Sequence, residues 1–482
     1  MTVNFLKRSI FTVALAWCAS VSADQNQTAT ISPINPSQRD VPFHVKIELT
    51  DLTLPNGIQS FASARHKGKW LFITGRTNGM HTFNADPNNF PAQEQNRMIY
   101  VVDPIRKIVK TRSLDDPHSG LTLAQIDSLS VTAAQFYTRD KTLYITGGYG
   151  INTASGQFET KDLLTAIDIP GLMSWVERRS EHKHASHYIR QLANPIFQVA
   201  GGYMTQIDDN PTLLVFGQNF EGTYAFPPHT QVYTEQVRRF RIIDDGKKLR
   251  VKIESSEPSQ PDPNFRRRDL NVINVIKSKK GKLVKGLVAL SGVFTLPPDN
   301  GAWTVPVEIT AKGKTFMADP SLTSTFKQGM NNYVSGSLEL FSKKTKDMYI
   351  VLLGGMTFGF FQNGQFMTDL DLPFTNEVTT IKINSHGHYK QFLMKGQYPK
   401  IRSTMTNPGN TLLFGSGAEF MPAEEVDMYD NDVVKLDSVK KRKVVGYIVG
   451  GIQSTVPNTS SITGADSAAS PYIFKVTVVP NE

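Results

Sequence analysis

The chain has 482 residues, with 52 lysines and arginines against 43 aspartates and glutamates, a formal charge of +9 and one cysteine. A charge this moderate, with no recognised nucleic-acid-binding module, excludes nucleic acid as the expected partner. No window after the first two dozen residues is long and apolar enough to form a transmembrane helix, so none is expected.

The opening stretch MTVNFLKRSIFTVALAWCASVSADQ has a basic start at Lys7 and Arg8, an apolar run from Ile10 to Trp17 and small residues at Val21-Ser22-Ala23. This is the pattern of a secretory signal peptide over residues 1–23, which makes the protein an exported one, periplasmic or secreted. Cys18 falls inside it. A lipid anchor there is disfavoured by the bulky Trp17, and cleavage after Ala23 removes disulfides, thiolate metal sites and cysteine nucleophiles together. Such a chain must be held by an extensive packed core. Residues 24–42 are polar and read as a flexible lead-in to one domain over residues 43–482.

From Phe43 the chain is β. Phe43 to Leu49 alternates Val45, Ile47 and Leu49 with His44, Lys46 and Glu48. Six later stretches share one design, a turn leading to a short apolar run that stops at glycine: KWLFITGR at Gly75, LYITGG at Gly147, TLLVFGQ at Gly217, LVALSGV at Gly292, MYIVLLGGM at Gly354 and VVGYIVGGI at Gly450. Like units at such intervals predict an all-β, six-bladed propeller of four-stranded blades. Thr411 to Phe420 is a further β run ending in glycine, which would make seven. It is assigned to a long insertion, because SLELFSKKTKDMYIVLLGG aligns with DVVKLDSVKKRKVVGYIVGG without it. The segment Gly171 to Leu192 breaks the β rhythm, with Leu172, Trp175 and Val176 at helical spacing, and predicts one short helical insertion in the second unit. The sixth unit runs out of chain before its fourth strand. HVKIE near the start matches RVKIE, the fourth strand of the third unit, so the amino-terminal strand is expected to complete the sixth and close the propeller.

With Gly147-Gly148, Gly354-Gly355 and Gly450-Gly451 after apolar runs, and IYVVD and LLTAID as the strands that follow, the chain resembles the kelch-repeat and galactose-oxidase-like propellers from about Phe43 to Val479. Three units keep only one glycine of the pair, and the tryptophan such repeats often carry in the outer strand is missing. The copper-radical oxidases of that family need a tyrosine–cysteine cofactor that a cysteine-free chain cannot make, so no cofactor is expected. Other relatives handle sugars in the periplasm, including sialic acid mutarotases, which makes carbohydrate binding one expectation.

The two ends of such units differ in chemistry. The first-to-second-strand turns HKGK, TRDK, IDDN, KSKKGK, SKKTKD and VKKRK hold 15 Lys or Arg against four Asp. This suits an anionic envelope surface, while tight-turn lysines also serve simply to keep edges soluble. The opposite end collects long loops rich in Asn, Gln, Gly and aromatics, a mixture suited to a polar small molecule or a glycan. Candidate ligand-binding residues there are Arg76, Asn78 and His81 after the first glycine, Arg267 and Arg268 before the fourth unit, and Asn331 and Tyr333 before the fifth; an arginine pair can grip a carboxylate, as an acidic sugar carries. Glu221, Tyr224 and His229 are titratable, but no spacing ties them into a catalytic set, so catalytic residues are not assigned. Glu424, Glu425, Asp427, Asp430 and Asp432 lack the spacing of a calcium loop, and His182, His184 and His187 sit among charges as solvated histidines, so no metal is expected. The leading expectation is a ligand-binding propeller. The alternatives are a carbohydrate mutarotase or lyase and an envelope interaction scaffold.

Overall fold

The computed structural model describes residues 31–32, 40–179, 183–297, 301–405, 407–458 and 465–481. The chain is mostly β. Six antiparallel four-stranded units follow one another, here numbered sheets 1 to 6. Sheet 1 runs Ala62–His66, Lys69–Ile73, Met98–Asp103, Ile108–Ser113. Sheet 2 is Gln135–Arg139, Thr142–Thr146, Leu163–Asp168, Ile189–Ala193, and sheet 3 is Tyr203–Thr205, Thr212–Val215, Val237–Asp244, Leu249–Glu257. Sheet 4 is Val272–Lys279, Lys282–Ala289, Val307–Thr310, Thr315–Met317, and sheet 5 has Gly336–Ser342, Asp347–Met356, Phe374–Ile383, Tyr389–Gln397. Sheet 6 orders Ala418–Pro422, Lys443–Gly450, Tyr472–Pro480 and, last, the early strand Phe43–Thr53.

The second strands are apolar without alternation because successive side chains point to opposite faces and both faces are covered. In sheet 1, Leu71 and Ile73 pack with Leu143 and Ile145 of sheet 2, whereas Trp70 and Phe72 pack with Val449 and Ile473 of sheet 6. The same division recurs at every step, from sheets 2 and 3 through sheets 5 and 6. Each sheet thus shares an apolar cluster with the next, and sheet 6 shares one with sheet 1, an arrangement compatible with a propeller.

The expected pairing of the early strand is present. Phe43 lies opposite Pro480 and the antiparallel register runs to Leu49 opposite Phe474, then slips to place Thr53 opposite Tyr472. Its inward residues Phe43, Val45 and Ile47 are buried against sheet 5.

Four expectations are corrected. The first strand of sheet 6 is Ala418–Pro422, from the stretch read as an insertion, and pairs with Lys443–Gly450. Val434–Lys435, read as that strand, instead joins the edge of sheet 5 in parallel with Leu340 and Phe341. Residues 423–442 therefore form a long strap in place of a tight VKKRK turn. The helix expected in sheet 2 is present as α2 (Ile169–Val176), capped by Asp168, but a second helix, α1 (Leu123–Leu129), stands before sheet 2 with a Thr122/Gln125 capping box. The lead-in is not featureless: Ile31–Ser32 pairs in parallel with the outer strand of sheet 5, and Val41 is fully buried. The proposed signal peptide, residues 1–23, lies outside the described residues.

Phe43 joins sheet 6 to sheet 5, meeting the Tyr349 ring edge-on at 5.5 Å. Phe43→Ala is expected to cost about 3 kcal/mol or more, read as a lowered urea midpoint at unchanged slope. Phe316→Ala, at a 65 % exposed position on sheet 4, is the neutral comparison.

Candidate functional site

All six sheets send chain to one cavity at their long-loop end. Immediately before its first strand, each supplies a residue in the left-handed region: Ser60, Ala133, Gly201, Asp269, Val334 and Gly417, with φ between +49 and +67. At or shortly after the end of the second strand comes a glycine at φ +83 to +120, namely Gly75, Gly148, Gly217, Gly292, Gly355 and Gly451. The glycine common to all six units is thus the second of each pair. The residue after it returns beside the incoming chain, in the antiparallel bridges Gln59–Arg76, Thr132–Tyr149, Ala200–Gln218, Arg268–Val293 and Tyr333–Met356. These backbone pairs form a cavity floor of about 130 Å³. Its walls come from the long loops: a four-stranded sheet of Tyr149–Asn152, Gln157–Thr160, Gln218–Glu221 and Thr230–Tyr233, and the Phe83–Phe90 loop.

Of the residues singled out in the sequence, Arg76, His81, Arg268 and Tyr333 line this cavity. Asn78 stands one step behind, its Oδ1 accepting from Arg76 Nε at 2.8 Å. Arg267 and Asn331 do not reach it. Arg267 is fully buried over the Trp303 ring at 4.6 Å, and Asn331 donates to the Trp303 carbonyl at 2.7 Å, so both order the loop around Trp303. Of Glu221, Tyr224 and His229, only Tyr224 lines the cavity; His229 stacks behind Phe220. Tyr149, Gln218, Phe90 and Phe220 were not anticipated. Tyr149 and Gln218 carry the same signal as Arg76, the place directly after the glycine that closes a second strand.

The two cavity arginines differ electrically. Arg268 spends all three nitrogens: Nη1 on Asp269, Nη2 on Tyr224 Oη at 2.9 Å and Nε on Tyr233 Oη at 3.2 Å. Burial alone would lower its pKa, but Tyr224 and Asp269 raise it. Arg76 is 3 % exposed, lies 4.1 Å over the Phe90 ring, and has its Nη2 buried with no hydrogen-bond partner. Burial lowers its pKa to about 10, against the opposing influence of Tyr149 and Glu94, so it is charged at neutral pH.

His81 sits among Phe83, Phe90 and Tyr224, with ring centroids 4.6 to 5.1 Å away. Burial pushes its pKa down to about 3, and Arg268 and Arg76 push the same way. The ring is therefore neutral. Its Nδ1 lies 2.9 Å from the Thr82 carbonyl and must carry the proton there, which leaves Nε2 as an acceptor. Burial also raises Tyr149 and Tyr333 above their ordinary range. The cavity thus holds one cation with no ion pair among the described residues, a fixed acceptor and aromatic faces.

Beyond the floor, burial raises the pKa of Tyr203 of sheet 3, and Glu339 of sheet 5, Asp432 of the strap and Glu419 of sheet 6 push it the same way. Burial raises Glu339 to about 7 and Glu419 to about 8. Of the remaining acidic candidates, Asp430 meets Lys285 at 2.6 Å and Asp432 meets Arg65 at 2.9 Å, while Glu424, Glu425 and Asp427 are exposed. His184 and His187 stack at 5.8 Å in an exposed turn, and His182 lies outside the described residues.

The protein is a mostly β chain built of four-stranded antiparallel sheets around a common cavity. No protein-family model and no curated protein sequence matches it. A solved structure titled "Structure of YjhT" is similar over 89 % of this chain and 98 % of that one, at 12 % identity and a TM-score of 0.43. Among the described residues, no helix is long and apolar enough to cross a membrane.

Glu419 gives a pH prediction. Between the unfolded value near 4.5 and the folded value of about 8, the native state keeps a proton that the unfolded chain has released, so stability falls as pH rises through that window. Glu419→Gln removes this loss. The variant should be more stable than the parent at pH 8, by about 1 to 2 kcal/mol once solvent screening is allowed for, and equal to it near pH 4.5, in paired thermal melts.

Proposed function

We propose that the six sheets are the blades of a six-bladed β-propeller, and that the protein, exported on its first 23 residues, binds a small polar ligand carrying one negative charge at the axial mouth. The blade count is supported by the apolar clusters that link each sheet to the next and the sixth to the first. One observation carries the ligand assignment: Arg76 is charged, nearly fully buried, lines an aromatic-walled cavity and has no paired carboxylate among the described residues. A buried guanidinium in that state is costly until an anion meets it.

The other groups define the rest of the ligand. Engineered cavities of roughly 150 Å³ hold a benzene-sized ring, so about 130 Å³ suits a single ring better than an extended chain. Aromatic faces at Phe83, Phe90 and Tyr224 favour the C–H faces of a sugar ring, and neutral His81 accepts a hydroxyl. An acidic monosaccharide, or the terminal acidic residue of a glycan, fits this set. Binding is preferred over a mutarotase or lyase reaction because His81, Tyr149, Tyr333 and Asp269 at the cavity wall are unsuited to proton transfer near neutrality, and Glu339 and Glu419, which are tuned near it, do not line the cavity. His81 is too weak a base, Tyr149 and Tyr333 are too weak as acids, and Asp269 is held by Arg268.

The test is calorimetric titration of the purified protein with a uronic acid and with its neutral parent sugar. The uronic acid should bind and the neutral sugar should bind at least about tenfold more weakly, the usual worth of one charge-assisted hydrogen bond. Arg76→Met should abolish that preference. Affinity should be flat between pH 5 and pH 8, because neither Arg76 nor His81 titrates there. Equal binding of the two sugars, or an unchanged preference in Arg76→Met, would refute the assignment.

A further inference from the structure

The end of the molecule opposite the cavity has its own character. Its hairpin tips are basic and exposed, and the tip of sheet 4 is the clearest. Lys279, Lys280 and Lys282 have no ion pair among the described residues, and beside them Leu283 and Val284 stand 40 % and 45 % exposed. The sheet 5 tip adds Lys343, Lys344 and Lys346, all exposed.

The strap of residues 423–442 crosses this end. Asp432 pairs with Arg65 of sheet 1, Asp430 with Lys285 of sheet 4, and Asp437 accepts from Ser342 and the Lys344 amide of sheet 5. Contacts to three sheets place their tips on one common face. The strap also leaves Glu424, Glu425 and Asp427 exposed there. The face is therefore a set of basic tips around an acidic band, with apolar side chains uncovered next to the densest lysine group.

We propose that this face docks on an anionic lipid surface, through the Lys279–Val284 tip and the lysines of sheet 5, with the strap opposing attachment. Charge complementarity supplies the long-range attraction. Leu283 and Val284 supply what a soluble polyanion would not need, apolar groups at the tip able to enter the interfacial region of a bilayer. Docking in this orientation leaves the cavity end facing away from the membrane.

The test is flotation of the full chain with vesicles of phosphatidylglycerol and phosphatidylcholine in equal parts, against phosphatidylcholine alone. Binding should occur only with phosphatidylglycerol, and should weaken steeply as salt rises and the screening length shortens from roughly 30 Å at 0.01 M to roughly 8 Å at 0.15 M. The combined variant Lys279→Glu, Lys280→Glu, Lys282→Glu should lose at least about tenfold in partitioning, since each basic group near such a surface is worth roughly fivefold. Leu283→Ser with Val284→Ser should weaken vesicle binding while leaving retention on a soluble polyanion unchanged. The strap variant Glu424→Gln, Glu425→Gln, Asp427→Asn should gain severalfold. Thermal melts matching the parent confirm that these exposed changes leave the fold intact, and the strap variant reads in the direction opposite to damage. Absence of binding to the anionic vesicles, binding by the lysine variant equal to the parent, or binding to the soluble polyanion without binding to vesicles would each overturn the proposal.

Discussion

The chain turns at the end of every second strand through a conformation that only glycine adopts freely, and the cavity depends on that turn. At Gly75 an added Cβ would stand 2.5 Å from the Gln59 carbonyl oxygen, and at Gly451 it would stand 2.8 Å from that of Ser416. In both cases the obstruction is the backbone entering the first strand, which passes directly over the glycine. The position before it varies from unit to unit: Thr74 and Phe216 occupy it at φ +68 and +55, in the left-handed region that a side chain enters at a cost of about 1 kcal/mol, whereas a Cβ at Gly147, Gly354 or Gly450 would stand 1.9, 2.6 or 2.4 Å from a backbone carbonyl oxygen. This is why some units carry a glycine pair and others a single glycine. Because the turn is fixed, the next residue is delivered beside the incoming chain in unit after unit, and the chemistry of the mouth is written by Arg76, Tyr149, Gln218, Val293, Met356 and Ile452.

That placement holds only if the sheets stay in register around the cavity, and here burial on both faces is decisive. A strand such as Thr212–Val215 sends Leu213 and Val215 to one neighbouring sheet and Leu214 to the other, so no sheet has a solvent face on which to stand alone. The last sheet would lack its outer strand and part of its cover without the head of the chain. Phe43, Val45 and Ile47 supply that cover against Tyr349, Val351 and Val476. The pairing of the Phe43–Thr53 strand with Tyr472–Pro480 joins residues more than 400 positions apart, which makes it costly in loop entropy to form early and places it late in assembly.

Much of this was legible because alternation and glycine-stopped runs are local signals. The second strands, the strand of residues 43–49 and the α2 segment announce themselves by pattern. Sheet 6 was misread at its first strand for a physical reason. Ala418–Pro422 is short and carries Glu419 at its second position, whereas DVVKLDS has the alternation of a strand. What holds Val433 to Lys435 in place is instead the burial of Val433 and Val434 and the parallel pairing of Val434 and Lys435 with Leu340 and Phe341, partners far earlier in the chain that no local pattern reveals. The site was legible in the same partial way. Arg76 was found because it follows a glycine and carries charge; Tyr149 and Gln218 occupy the same place without a charge to draw notice. Arg267 and Arg268 could not be told apart, since only the fold decides that one lies under Trp303 and the other reaches the cavity.

Arg76 and Arg268 show how far residue type falls short of function. Both are buried and both line one cavity, yet Arg268 is saturated by Asp269, Tyr224 and Tyr233, so its charge is spent on holding the tyrosine wall. Arg76 has no ion pair among the described residues; a neutral amide and the face of Phe90 lie against it and Glu94 acts on it without pairing, and a ring face compensates a guanidinium by far less than a paired carboxylate does. Burial is the main reason His81 stays uncharged, and the neighbouring cations Arg268 and Arg76 push the same way, so the imidazole gives up its proton and becomes an acceptor. An incoming carboxylate would relieve Arg76. It would also ease the electrostatic pressure on His81, and the acceptor role of His81 requires only that this relief stay far short of restoring a normal histidine.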